Sequence, residues 1–250
     1  MILDQRRHNI LQTIETQGFV SLQSLVELVG ASESTIRRDL EYLDRIGQIR
    51  RTRGGASFTG DSITEFDERR SQATTEKLAI AKAAAGLIQA GEAVLLDGGT
   101  TTLEVARHLI GRALQVVTNS LPIVNLLANQ PEIELIQIGG YLFPKTGVAL
   151  GPLAVSALSQ IHVRRLFMSV GGITEHGLYN TNTLLVETER QMMLSAEEVV
   201  VVTDSSKLGH SALAHLCPLQ KVHHVIVDQG ITDEWKRILE DAGIRVTVAL

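Results

Sequence analysis

The chain has 250 residues, a net charge of −5 and 44% apolar but only 4% aromatic residues. That length leaves room for two domains, and the composition excludes a disordered or fibrous chain in favour of an aliphatic core. The single cysteine, Cys217, cannot close an internal disulfide, the N-terminus turns polar within its first residues, and no apolar run is long enough to span a bilayer, so a reducing cytoplasmic setting is expected and a membrane is not.

From the N-terminus, Ile10, Leu11 and Ile14 mark an amphipathic helix that Gly18 breaks. Ser21 caps a second, with Leu22, Leu25, Val26 and Val29 inward, and Gly30 ends it. Ser32 caps a third, in which Ile36, Leu40 and Leu43 fall on one stripe and Ser34, Arg37, Arg38, Glu41 and Arg45 on the other. Two helices joined by a tight glycine turn, the second carrying outward arginines, make a helix-turn-helix at about Val20 to Asp39. Ile49, Arg50, Arg51, Thr52, Arg53 and Gly54-Gly55 then read as a short basic strand pair, the wing of a winged helix. Residues 1–60 hold eight Arg against seven acids, giving +1, so the remainder carries −6; between Ile36 and Arg53 the balance is six Arg against three acids. Positive charge is therefore concentrated where a duplex would be met. On its own, such a helix face is more often the solvated side of an ordinary helix.

The stretch 58–75 has little periodicity and reads as a linker between a domain at 1–57 and another at 76–250. A helix is predicted from Glu76 to Ala90, stopped by Gly91. Seven short apolar runs follow, at Ala93–Asp97, Leu114–Asn119, Ile133–Gly139, Leu166–Val170, Val199–Asp204, His224–Val227 and Val246–Ala249, with helical patterns such as Thr102–Ile110, Ile123–Asn129 and Asp233–Ala242 between them. The class is α/β, a small winged helix-turn-helix domain plus a larger domain with a mainly parallel sheet.

In such sheets ligands gather at the carboxyl ends of strands. Asp97-Gly98-Gly99-Thr100-Thr101-Thr102 joins a strand to a helix start, where backbone N–H groups and hydroxyls suit an anion; a tight turn capped by threonine is the alternative. Asn119-Ser120, Gly139-Gly140, Gly171-Gly172 and the segment ending in Lys207 also follow strands, and together they favour a pocket. Lys207 is a mobile point cation suited to phosphate or to a surface ion pair. Gly177, Tyr179, Asn180 and Asn182 read either as a flap over the pocket or as a surface hairpin. No metal or other cofactor is expected, because the eight histidines are scattered without matching partners.

The run Ser34-Thr35-Ile36-Arg37-Arg38-Asp39-Leu40, with Leu43, Gly47, Arg50-Arg51 and Gly54-Gly55-Ala56, resembles the N-terminal module of the DeoR family of bacterial transcriptional regulators, and the later loops resemble its C-terminal sensor domain. The resemblance implies that Ser34, Thr35, Arg37 and Arg38, joined by Ser32 and by Arg51 and Arg53 of the wing, contact double-stranded operator DNA. Asp39, a carboxylate that phosphates would repel, is expected to orient an arginine or to cap locally. It implies a sensor domain similar in fold to ribose-5-phosphate isomerase and the CoA transferases, with a phosphorylated sugar held by Asp97 to Thr102 and by Asn119 and Ser120, and Lys207 meeting its charge. The expected protein is a repressor of a carbohydrate operon acting as a dimer or tetramer. The alternative is an isomerase-like enzyme with an accessory DNA-binding domain. Gly171 and Thr174 stand where the isomerases place two aspartates, and neither ionises, so binding without turnover is expected and no catalytic residue is assigned. A ligand-free oligomeric scaffold is a third reading, which the cluster of Gly and Thr loops disfavours.

Overall fold

The computed structural model describes residues 3–17, 19–45, 49–52, 54–58, 74–144 and 146–250. The predicted linker falls almost entirely outside them, as do Gly18, Gly47 and Arg53. Contacts divide the chain into Met1–Thr64 and Glu65–Leu250.

The first unit runs α1 (Leu3–Gln17), β1 (Phe19–Ser21), α2 (Leu22–Val29), α3 (Glu33–Arg45), β2 (Ile49–Thr52) and β3 (Gly55–Phe58). Ser21 caps α2 by accepting from the Ser24 amide, and Gly30, at φ 66°, ends it in the left-handed conformation a Cβ would resist. Ile36, Leu40 and Leu43 of α3 are buried against Ile10, Ile14, Val20, Leu25 and Ile49, so the predicted stripe is the seam of this small core. The basic strand pair forms, but β1 joins it to give an antiparallel sheet in the order β1-β3-β2. Gly55 is obligatory there, since a Cβ would collide with the Val20 carbonyl oxygen.

The second unit contains α4 (Thr74–Gly86), β4 (Ala93–Leu96), α5 (Thr100–Arg107), β5 (Leu114–Thr118), α6 (Leu121–Leu127), β6 (Ile133–Gln137), β7 (Tyr141–Phe143), β8 (Val148–Leu150), α7 (Pro152–Leu158) and β9 (Val163–Met168). It continues with β10 (Gly172–Thr174), β11 (Gly177–Asn180), α8 (Thr183–Leu194), β12 (Ala196–Val202), β13 (Ala214–Cys217), β14 (His224–Val227), α9 (Asp233–Asp241) and β15 (Arg245–Val248). Seven strands form one sheet in the order β15-β14-β12-β9-β4-β5-β6, with every pairing parallel. Val94 and Leu96 face α4, α5 and α6 on one side, while Leu95 faces α7, α8 and α9 on the other, so both faces of β4 are covered and it reads as a continuous apolar run.

Three departures from the sequence reading have physical causes. Helix α4 stops at Gly86 rather than Ala90, because the amides of Leu87 and Ile88 turn back to the carbonyls of Ala84 and Ala85 and the Arg112 guanidinium takes the Ala85 and Ile88 carbonyls. The segment from Gly172 is a hairpin, but not a surface one: β11 pairs with both β10 and β13, and Leu178 and Asn180 are buried. The hairpin β7–β8 packs over the end of β5, where Ala149 and Asn119 exchange hydrogen bonds. Among the described residues, no helix is long and apolar enough to cross a membrane.

Candidate nucleic-acid interface and ligand site

The exposed side of α3 begins with three hydroxyls at its positive end. Ser32 Oγ accepts from the Thr35 amide at 3.3 Å and lies 3.0 Å from Ser34 Oγ and 2.8 Å from Thr35 Oγ1. Ser32 and Ser34 are exposed, and Thr35 is half-buried. Arg37 and Arg38 both face solvent, but differently. Arg37 forms an exposed pair with Glu33 one turn back, Nη2 to Oε1 2.6 Å. Arg38 has no ion pair among the described residues and lines a shallow cleft with Arg7, Glu41, Tyr42, Asp44 and Arg51. Arg51 is exposed on β2, its guanidinium 3.9 Å from Glu41 and its amide donating to Asp44.

Asp39 is buried behind this surface and accepts from Arg6 Nε at 2.6 Å and Arg7 Nε at 2.9 Å. Its hydrogen bond raises Arg6 above the usual guanidinium value, and Arg7 is left stacked 3.8 Å from the centre of the Tyr42 ring. Asp39 thus orients two cations from α1 against α3. The α1 arginines give no periodic signal, and sequence reasoning missed them.

In the second unit, chain order places β5 and β6 to one side of β4 and β9, β12, β14 and β15 to the other. The carboxyl ends of β4 and β9 therefore flank the switch point of the sheet, where successive connections part and leave a crevice. Asp97 follows β4 there, 1% exposed, its amide donating to the Phe167 carbonyl of β9. A Cβ on Gly98 would run into Val148 Cγ1 of β8, and one on Gly99 would lie 3.2 Å from Ser169 Cβ, so the turn is squeezed between β8 and the loop that follows β9. Gly98→Ala is accordingly expected to destabilise this unit by about 1 to 3 kcal/mol through overpacking, read as a lowered thermal midpoint.

Thr100, Thr101 and Thr102 are buried in the first turn of α5, and Thr102 spends its hydroxyl on the Gly99 carbonyl. Asn119 and Ser120 stand beside them, since Thr118 pairs with Leu96. Asn119 Nδ2 donates to the Ala149 carbonyl at 3.0 Å, whereas Asn119 Oδ1, Ser120 Oγ and Thr146 Oγ1 are buried without hydrogen-bond partners. Orphaned buried polar atoms are rare in folded proteins, and each calls for an explanation such as a bound water, an ion or a ligand.

A residue the sequence reading overlooked closes the cluster. Glu189 of α8 is 1% exposed, its Oε1 accepting from Asn180 Nδ2 at 2.7 Å and its Oε2 without a partner. Burial first and the charge of Asp97 second push its carboxyl well above the ordinary range, against the opposing hydrogen bond from Asn180. The signal was present, since Glu189 lies on the same stripe as buried Leu185, Val186 and Met192, where a carboxylate has no structural reason to be.

The other candidates divide. Gly171 adjoins this cluster, where a Cβ would lie 3.3 Å from Asn180 Oδ1. Gly172 instead allows β10 to meet the His210 carbonyl, a packing role. Gly139 and Gly140 are exposed after β6; Gly140, at φ 154°, permits approach to the Leu150 carbonyl. Lys207 is half-buried in a single turn, Ser205–Lys207, that Asp204 caps. Among the described residues no group of three or more His, Cys, Asp or Glu could hold a metal ion.

Residues 6–61 match the family model of the DeoR-like helix-turn-helix domain, and residues 72–229 match the model of the DeoR C-terminal sensor domain. The chain is 32% identical over 250 residues to an uncharacterized HTH-type transcriptional regulator, YulB, of Bacillus subtilis (99% of this chain, 97% of that one). It is 36% identical over 249 residues to a putative aga operon transcriptional repressor of Escherichia coli O157:H7 (97% and 92%), and 31% identical over 245 residues to the regulator UlaR of Escherichia coli (97% and 97%). Among solved structures it is similar to translation initiation factor eIF-2B of Pyrococcus horikoshii OT3 (14% identity, TM-score 0.43, 89% of this chain and 80% of that one). It is also similar to ribose 5-phosphate isomerase A of Neisseria gonorrhoeae (15%, 0.40, 54% and 53%). With both domain models matched and relatives aligned along nearly its whole length, the chain belongs to the DeoR family of helix-turn-helix transcriptional regulators.

Proposed function

We propose that this regulator reads operator DNA with the exposed face of α3 and represses a carbohydrate operon, and that a phosphorylated sugar bound at the β4–β9 switch point alters its affinity for DNA. The observation that carries the first half is the division of α3 into a buried aliphatic seam and an open face of hydroxyls and guanidinium groups. Short hydroxyls let a helix approach the groove closely, and arginine can bond guanine through two parallel hydrogen bonds. Ser32, Ser34, Thr35, Arg37, Arg38 and Arg51 supply these groups. The net positive charge of the N-terminal region is small, so specific affinity is assigned to a homo-oligomer engaging two half-sites. Selection from a random duplex pool tests this: a repeated or palindromic motif is expected, and recovery of unrelated sequences would contradict it.

The second half rests on the buried polar groups around Asp97, Asn119, Ser120 and Glu189, placed where an open parallel sheet offers a crevice and beside the N-terminal turn of α5. The sugar hydroxyls are assigned to those side chains, and the phosphate to the α5 amides and Lys207. Gly171, in the loop after β9, offers no ionisable group for turnover, so the site is read as one that binds and releases its ligand unchanged. Lys207→Ala is expected to leave DNA affinity intact and to weaken the effector response about tenfold or more, as read by anisotropy titrations with and without sugar phosphate. Isomer formation in a proton NMR time course would instead favour the enzyme.

A further inference from the structure

Asp39 holds more positive charge than it needs. Its carboxylate, 2% exposed, accepts from Arg6 Nε at 2.6 Å through one oxygen and from Arg7 Nε at 2.9 Å through the other. One guanidinium neutralises one carboxylate, so the tie between α1 and α3 is complete with Arg6 alone. Arg7 brings a surplus charge to the spot.

The surroundings of Arg7 hold it in one geometry. Its side chain keeps 21% of its surface exposed, and its guanidinium carbon lies 3.8 Å from the centre of the Tyr42 ring. A guanidinium carries five N–H donors; Asp39 takes the one on Nε, the ring covers one face, and the two Nη groups have no hydrogen-bond partner among the described residues. That end of the group is the fork that matches two oxygens of a phosphate. An exposed arginine loses rotamer freedom when it binds, but Arg7 has lost much of it already to Asp39 and Tyr42, so it would meet an anion preorganised.

Arg7 lines the cleft between α3 and β2 together with Arg38, Glu41, Tyr42, Asp44 and Arg51. Both acids there are engaged with Arg51, Glu41 at 3.9 Å from its guanidinium and Asp44 on its backbone amide. Arg6, Arg7, Arg38 and Arg51 against Asp39, Glu41 and Asp44 leave four positive charges to three negative, a surplus of one. One phosphodiester carries the charge that balances it.

We propose that Arg7 is a phosphate clamp of the DNA-binding unit, taking one backbone phosphodiester in the cleft between α3 and the wing, with Asp39 and Tyr42 as its positioning residues. The inference rests on the reading of α3 as the helix that meets DNA. It divides the work between two helices: Arg38 of α3 answers to sequence, and Arg7 of α1 to the backbone that every duplex shares.

Binding of the full-length protein to a selected operator and to a scrambled duplex, each titrated over a series of salt concentrations, tests this. Arg7→Ala leaves Arg6 on Asp39; it is expected to weaken both complexes by a common factor of about three to ten and to reduce the slope of log affinity against log salt by about one. Arg7→Gln, whose amide can still donate to Asp39, carries the same expectation should Arg7→Ala fail to fold, and Arg7→Lys is expected to restore the slope. Replacing chloride by inorganic phosphate at constant ionic strength is expected to leave duplex affinity unchanged. Competition by phosphate that disappears in Arg7→Gln would give the cleft to a free phosphate ligand and overturn the assignment. An unchanged slope in a folded Arg7→Gln protein, or a loss confined to the operator, would overturn it as well while leaving the DNA-reading role of α3 standing. Failure of the unmodified protein to prefer any sequence would overturn both.

Discussion

Arg38→Ala is expected to weaken binding to the selected operator by about 1 to 3 kcal/mol, with far less effect on a scrambled duplex. The structure separates this residue from its neighbour. Arg37 already has Glu33 at 2.6 Å, an exposed i,i+4 pair that must be broken or shared before the guanidinium serves DNA, whereas Arg38 has no acidic partner among the described residues. Arg37→Ala is therefore expected to have the smaller effect of the two. Both side chains lie on the exposed face of α3, away from the Ile36, Leu40 and Leu43 seam, so neither change should shift the thermal midpoint of the protein. Gel-shift titration at one fixed salt concentration, paired with a melt, checks both parts. Equal affinity of Arg38→Ala and the unmodified protein would remove α3 from base contact.

The second large effect is on stability. Arg165, on the central strand β9, bridges Glu92 and Glu198 and donates to the Leu87 carbonyl at 3.0 Å; its side chain is 12% exposed and that of Glu92 only 4%. Arg165→Ala leaves two carboxylates near one another in a poorly hydrated place, and the expected loss is about 3 kcal/mol. For a domain of this size that corresponds to a fall of roughly 10 °C in the thermal midpoint. The pH dependence has a definite sign. Burial alone would raise Glu198, but the hydrogen bond and charge of Arg165, helped by Arg245, outweigh it and hold the carboxyl below its usual value. Its stabilisation is thus full above the unfolded carboxylate pKa and fades as pH falls through the lowered folded value. The gap between the two proteins should narrow on acidification, and a constant gap down to pH 3 would show that the pair contributes packing rather than charge.

What could be read from the sequence follows the strength of periodic burial. The seam of α3 and the seven strands of the main sheet were legible because each is a short apolar run, every residue of β14 being buried and the inner strands carrying buried stretches such as Leu166–Met168 and Val199–Val202. The short strands β1, β7, β8 and β13 were not, and β10 and β11 were legible only as a hairpin expected on the surface. Each has three or four residues, too few for alternation to register, and their pairing depends on partners such as Val20 with Ala56 or Leu178 with Cys217 that no local pattern specifies.

The candidate site divides in the same way. Asp97 to Thr102 and Asn119-Ser120 announced themselves as strand-ending loops rich in small and polar residues. Glu189 did not, because it comes from the middle of a helix on the opposite side of the sheet from α5, and only the fold brings it to Asn180 and within range of Asp97. Gly172 shows the converse. A glycine pair after a strand looks like a ligand cradle, and the contact the structure gives Gly172 is one of packing, with the His210 carbonyl.

In the function proposed above, one chain joins a DNA-reading helix to a sugar-phosphate site by a shared free energy, so that each ligand changes the affinity for the other. Fluorescence anisotropy of a labelled, selected operator duplex, titrated with the full-length protein in the absence and presence of saturating sugar phosphate, tests it most directly. Sequence-specific binding is expected, with a dissociation constant that shifts by about fivefold or more with the right ligand, in either direction. Binding that depends on salt but not on sequence, or that stays the same with every sugar phosphate shown to bind the protein, would contradict it.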